Sequence, residues 1–144
     1  MNRLTYLILM GCMLLCAGCS KQYSDADLVF LNVHQADVVV TTPESSLFST
    51  AKDNTFLDPR TAERYAIGHI PGAINVPYSR VAETWESLQE YGVIVVYGKT
   101  YNDPLAEAMS KTLMEYGLHD IKTLKGGLEA WLNDGQDLAK GRKP

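Results

Sequence analysis

Residues 93–109 read VIVVYGKTYNDPLAEAM, and no other stretch restricts the possible folds so firmly. Val93-Ile94-Val95-Val96-Tyr97 is a nearly continuous apolar run rich in β-branched residues, the pattern of a strand buried on both faces. Gly98-Lys99-Thr100-Tyr101-Asn102 is polar and led by glycine, so the chain turns there. Asp103-Pro104 then opens a helix, with Asp as N-cap and Pro at the first helical position, where its missing N–H costs nothing. Strand, tight loop and helix N-terminus is the arrangement with which α/β proteins aim backbone N–H groups at an anion or a nucleophile. Yet the loop contains no Cys, Ser or His. It has the form of a site without its nucleophile.

The flanking sequence supplies elements of the same class. A helix start is expected at Ser24-Asp25-Ala26-Asp27, and strands at 37–41, 55–58, 73–76 and 120–124. Helices are expected at 43–52, which begins with Thr42 as cap and Pro43 at its first position, and at 61–67, 81–91, 104–116 and 128–132. In the helix from 104, Leu105, Ala108, Met109, Thr112 and Leu113 recur at helical spacing, and Gly117 ends it as a left-handed cap. Alternating strands and helices predict one α/β domain with a mainly parallel five-stranded sheet and helices on both faces. The domain is assigned to 37–138, preceded by a tether and short helix at 19–36 and followed by a frayed tail at 139–144.

Residues 1–18 have the layout of a secretory signal: a short basic start, an apolar run too short to span a bilayer comfortably, and small residues before a cut. Ala17-Gly18-Cys19 resembles the lipobox of bacterial lipoproteins, with Cys16 where those usually carry Leu. The resemblance implies acylation of Cys19, palmitate among the chains. It also implies residence in the bacterial cell envelope as a membrane-anchored lipoprotein. Ser20 after Cys19 favours the periplasmic face of the outer membrane, if the host has one.

All three cysteines (Cys12, Cys16 and Cys19) precede residue 20. The domain therefore has no disulfide, no thiolate metal site and no cysteine nucleophile of its own. His34, His69 and His119 are too scattered for a metal cluster, and no cofactor motif is present. A net charge of −4 without a basic stripe excludes a nucleic-acid partner.

Two further segments carry a resemblance. Asp58-Pro59-Arg60-Thr61 and Glu63-Arg64-Tyr65 lead into Gly68-His69-Ile70-Pro71-Gly72-Ala73-Ile74-Asn75-Val76-Pro77, and Leu124-Lys125-Gly126-Gly127-Leu128-Glu129-Ala130-Trp131 closes the chain. From about residue 37 to 137 the sequence resembles a rhodanese domain. In that family the central strand ends in a persulfide-carrying Cys, cradled by backbone N–H groups and commonly an Arg. Strand alignment puts Gly98 at the Cys position. A loop about two residues longer than the common form makes Thr100 the rival equivalent. Neither is Cys, and the loop has no Arg.

Read as residues, Gly68, Pro71 and Gly72 shape turns. Asp58 and Arg60 pair at a strand end, His69 bonds nearby backbone rather than acting as a base, and Trp131 is core. The reading is a catalytically silent rhodanese-like module that binds an envelope protein or small ligand through Gly98, Lys99, Thr100, Tyr101, Asn102 and Asp103. Competing with it are a sulfurtransferase that borrows a thiol from a partner or substrate, and a purely structural spacer.

Overall fold

The computed structural model describes residues 21–42 and 52–143. Strands β1 (Phe30–Leu31), β2 (Thr55–Asp58), β3 (Ile74–Asn75), β4 (Ile94–Val96) and β5 (Ile121–Leu124) form one sheet in the order β1-β5-β4-β2-β3. Every pairing is parallel. Around the sheet lie α1 (Val33–Thr41), α2 (Ala62–Ile67), α3 (Val81–Thr84), α4 (Leu105–Glu115) and α5 (Gly127–Asn133), with 3-10 turns at Asp25–Asp27, Tyr78–Arg80 and Trp85–Glu90.

The apolar run in β4 is shared between two cores because successive side chains point to opposite faces. Val95 and Tyr97 join Phe56, Val33 and Ala36 of α1, and Leu128 and Trp131 of α5. Ile94 and Val96 join Leu57, Val81 and Leu88, with Met109 and Leu113 of α4. Each such fully buried aliphatic side chain contributes roughly 1.5–3 kcal/mol over its exposed state. That two-sided packing fixes the strand whose end carries the loop.

Several boundaries differ from the sequence reading. The segment 37–41, expected as a strand, is the second half of α1, and the first strand is Phe30–Leu31, inside the segment assigned to the tether. A capping box explains the difference: Asn32 Oδ1 accepts the Gln35 N–H at 2.9 Å, and Gln35 Oε1 accepts the Asn32 N–H at 3.0 Å. The box starts a helix that carries the Val38-Val39-Val40 run with it, overriding its β propensity. The helix expected over 81–91 is split into α3 and a 3-10 stretch. There the hydroxyls of Thr84 and Ser87 donate to the carbonyls of Arg80 and Thr84, competing with helical N–H donors.

The tail is tied at its start rather than frayed. His69 and Ala139 exchange backbone hydrogen bonds at 3.0 and 2.9 Å, and the Gly141 N–H donates to Ala66 O at 2.9 Å. On the other side of the molecule, Asp25 pairs with Lys111 of α4 at 2.6 Å. Residues 1–20, with the Ala17-Gly18-Cys19 match, and the helix expected from residue 43, except Lys52, lie outside the described residues. Among the described residues no helix is long and apolar enough to cross a membrane.

Candidate functional site

The Tyr97 N–H donates to Leu57 O at 3.1 Å, and Gly98 then leaves the sheet, itself buried. Five residues on, Asp103 folds back over it. Asp103 Oδ2 accepts the Lys99 N–H at 2.8 Å, and Oδ1 accepts the Leu105 N–H at 3.1 Å. The Asp103 N–H donates to Thr100 O at 3.3 Å and closes the turn. One carboxylate thus takes an N–H from the strand exit and one from the first turn of α4, where unpaired donors and the positive end of the helix dipole gather. It does so one residue before the cap: the helix begins at Leu105, and Pro104 rather than Asp103 holds the cap position. A Cβ built on Gly98 would stand 3.1 Å from Asp103 Oδ2 and 3.2 Å from Cγ. The carboxylate crowds the position of a side chain at residue 98 and would have to give way by a few tenths of an ångström.

The opposite wall is the Gly126-Gly127 turn. Gly98 O and Lys99 O accept the Leu128 and Glu129 N–H groups at 3.1 and 3.0 Å. Gly127 has φ +54, and a Cβ there would fall 2.2 Å from Gly98 O; Gly126 has φ +83, and its Cβ would fall 2.5 Å from the Tyr101 ring. Left-handed backbone and close approach both demand glycine. Thr100, Tyr101, Asp103 and Glu107 border a cavity of about 190 Å³. Lys99 and Asp103, with Arg60, Arg64, Tyr78 and Leu105, border another of about 390 Å³. Lys99, Tyr101 and Asn102 are exposed.

Beside the loop lies a closed polar cluster. Arg60 Nε donates to both oxygens of Asp58 at 2.9 and 3.1 Å, and Nη2 donates to Oδ2 at 2.5 Å and to Gly68 O at 2.8 Å. The Arg60 N–H also donates to Asp58 Oδ1 at 2.9 Å. Both side chains are buried, at 8% and 0% exposure. Burial pulls the Arg60 guanidinium downward, but the hydrogen bond and charge of Asp58 outweigh it, and it titrates above its ordinary value. Asn75 Nδ2 donates to the carbonyls of Asp58 and Arg60 at 3.0 and 2.8 Å. His69, fully buried, makes its Nδ1 contact with Tyr65 O at 3.0 Å and stacks on the Tyr65 ring at 3.7 Å between centroids.

Two tyrosines complete this cluster: Tyr65, from the Glu63-Arg64-Tyr65 segment, and Tyr97, which no motif singles out. Tyr97 accepts the Ile70 N–H at 3.2 Å on its hydroxyl, and Tyr65 donates its hydroxyl to Ala73 O. Burial first, then the Asp58 charge, drives the Tyr97 hydroxyl far above its ordinary range, so it stays protonated. Its place at the end of the apolar run 93–97 is the one clue to it in the sequence. Trp131 packs edge-on against Phe56 and donates Nε1–H to Asp137 O at 2.9 Å.

The structure therefore separates the residues singled out above into two groups. Asp58 and Arg60 are joined to each other, and His69 is closed off in the same region; residues 98–103 form a loop organised by Asp103, buried at Gly98 and exposed at Lys99, Tyr101 and Asn102. The loop offers no thiol, and its hydroxyls are those of Thr100 and Tyr101, the latter bordering a cavity that His34 also lines. Backbone donors for an anion are present, but Asp103 already uses two of them. Among the described residues no group of His, Cys, Asp and Glu is placed to hold a metal ion.

A family profile described as Rhodanese-like domain matches residues 45–134. Among curated proteins, the adenylyltransferase and sulfurtransferase UBA4 of Meyerozyma guilliermondii is 26% identical over 93 residues, covering 57% of this chain and 21% of that protein. The HTH-type transcriptional regulator Rv0324 of Mycobacterium tuberculosis is 29% identical over 124 residues, covering 82% of this chain and 54% of that protein. The chain thus spans about a fifth of one relative and about half of the other. Among solved structures, the rhodanese-like domain of the Anabaena Alr3790 protein superposes with a TM-score of 0.62 at 27% identity, over 78% of this chain and 79% of that one. The thiosulfate sulfurtransferase of Pseudomonas aeruginosa gives 0.62 at 23% identity, over 79% of this chain and 20% of that one, a likeness of fold.

Proposed function

The chain belongs to the rhodanese-like domain family, and we propose that it is a catalytically silent member, anchored in the bacterial envelope through Cys19, that acts as a binding or regulatory module. One observation carries this reading: the strand that should end in a nucleophile ends in Gly98, and Asp103 lies across it, accepting the Lys99 and Leu105 N–H groups. Sulfur transfer needs a thiolate held in the donors of the loop. Here the donors are engaged by a carboxylate and the domain has no thiol. The buried Asp58–Arg60 pair, the glycine turn and the core stay complete, so loss of chemistry has left the scaffold that presents the loop.

Lys99, Tyr101 and Asn102 are the exposed groups of that loop and supply its contact surface. Borrowed-thiol sulfur transfer draws support from the sulfurtransferase names among the relatives. Against it stands the Asp103 carboxylate, which repels an incoming thiolate at the strand end. The lipid anchor rests on the Ala17-Gly18-Cys19 match and the short apolar run before it. Firm retention needs more than one acyl chain, since a single chain anchors marginally.

The binding role is tested by capture from envelope extract with the parent chain and with a Lys99→Ala, Tyr101→Ala, Asn102→Ala triple variant. A protein retained by the parent and lost with the triple variant is expected; equal recovery by both overturns the loop as the contact surface. For the anchor, metabolic labelling with a fatty-acid analogue should mark the parent and not Cys19→Ser. Label retained in Cys19→Ser removes the lipobox assignment.

A further inference from the structure

We infer that Gly98 and Asp103 form one coupled feature: the Asp103 carboxylate is a built-in occupant of the backbone cradle at the end of β4, and Gly98 is the space it requires. The inference rests on the loop being an emptied nucleophile site. It adds that the site is closed by an internal contact and can be reopened by removing that contact. Three observations meet at this point. Asp103 Oδ2 accepts the Lys99 N–H at 2.8 Å, Oδ1 accepts the Leu105 N–H at 3.1 Å, and a Cβ at position 98 would lie 3.1–3.4 Å from Oδ2, Cγ and Cβ of Asp103.

A side chain at position 98 therefore cannot enter without moving the carboxylate. The three atoms nearest to that Cβ all belong to Asp103, so the contact to be relieved is with this one side chain. The consequence is specific. Returning a thiol to position 98 alone sets it against a carboxylate, whose negative charge disfavours the thiolate. With the carboxylate gone, the same thiol faces the two freed N–H donors and the N-terminus of α4, which favour the thiolate. The missing nucleophile is thus one of two obstacles, and Asp103 is the second.

The test is alkylation by iodoacetamide as a function of pH, read at residue 98 by peptide mass spectrometry in the full chain, so that Cys12, Cys16 and Cys19 do not contribute. Three proteins are compared: Gly98→Cys, Gly98→Cys with Asp103→Asn, and Gly98→Cys with Asp103→Ser. Asn keeps the volume and loses the charge, whereas Ser keeps a cap and frees the space. In Gly98→Cys the midpoint should lie above the ordinary thiol value of about 8.5, and adding Asp103→Ser should lower it by at least about one unit, roughly tenfold more thiolate at pH 7. Asp103→Asn should lower it by less. The same midpoint in all three overturns the inference.

Should Gly98→Cys fail to fold, thermal melting decides instead. The fall in Tm caused by Gly98→Ala should be at least halved in an Asp103→Ser background, and an equal fall in both backgrounds overturns the coupling. Sulfur transfer by the parent chain would overturn silence and leave the coupling standing. Equal alkylation midpoints would do the reverse.

Discussion

Two neighbouring regions at the end of the sheet have opposite characters. The Asp58–Arg60 pair is buried and densely bonded: Arg60 gives four side-chain hydrogen bonds, and Asn75 ties the same turn from the other side, while the buried Nε2 of neighbouring His69 has no partner. The loop 98–103 is largely exposed, and one side chain, Asp103, organises it. The first region is a structural corner whose polar groups have no water to fall back on, so any loss is costly. The second is a surface turn in which most side chains are free to change. That contrast separates the part of the molecule that holds the fold from the part that presents exposed side chains.

Substitutions sharpen the contrast in order of size. Arg60→Ala leaves Asp58 charged and buried without its partner and should cost about 3–5 kcal/mol by denaturant unfolding. A cost below about 1 kcal/mol would mean that the corner is no more demanding than the loop. Gly127→Ala combines φ +54 with a Cβ 2.2 Å from Gly98 O and should cost roughly 2–3 kcal/mol, which places the glycine turn with the corner rather than with the loop. Within the loop, Asp103→Ala should cost about 1 kcal/mol and Asp103→Asn less, since Asn caps nearly as well. Lys99→Ala should change stability by no more than about 0.5 kcal/mol. A loop substitution rivalling Arg60→Ala would erase the distinction.

The same contrast governs what the sequence made legible. The parallel five-stranded sheet follows from strand runs such as 93–97 alternating with helical patterns, and the closing glycines announce a tight turn by composition. Residues 37–41 misled because Asp37-Val38-Val39-Val40-Thr41 has strand composition, whereas the Asn32/Gln35 box several residues earlier decides for a helix. Two-residue β1 is too short to leave any period, and only its pairing with β5 reveals it. At the site, Asp58 and Arg60 could be paired from their spacing. The contact of Asp103 with Lys99 and Gly98 could not, because it depends on the loop folding back across four residues. Tyr65 and Tyr97 have the look of ordinary core, and only the packing shows their hydroxyls fastening Ala73 and Ile70.

Silence itself is most directly tested by sulfur transfer from thiosulfate to cyanide, measured on the full chain with Cys12, Cys16 and Cys19 all replaced by Ser. That chain has the complete fold and no thiol, so thiocyanate should form no faster than in its absence. Turnover that persists through repurification and scales with the amount of chain would contradict the silent reading, because it would require a nucleophile other than a thiol.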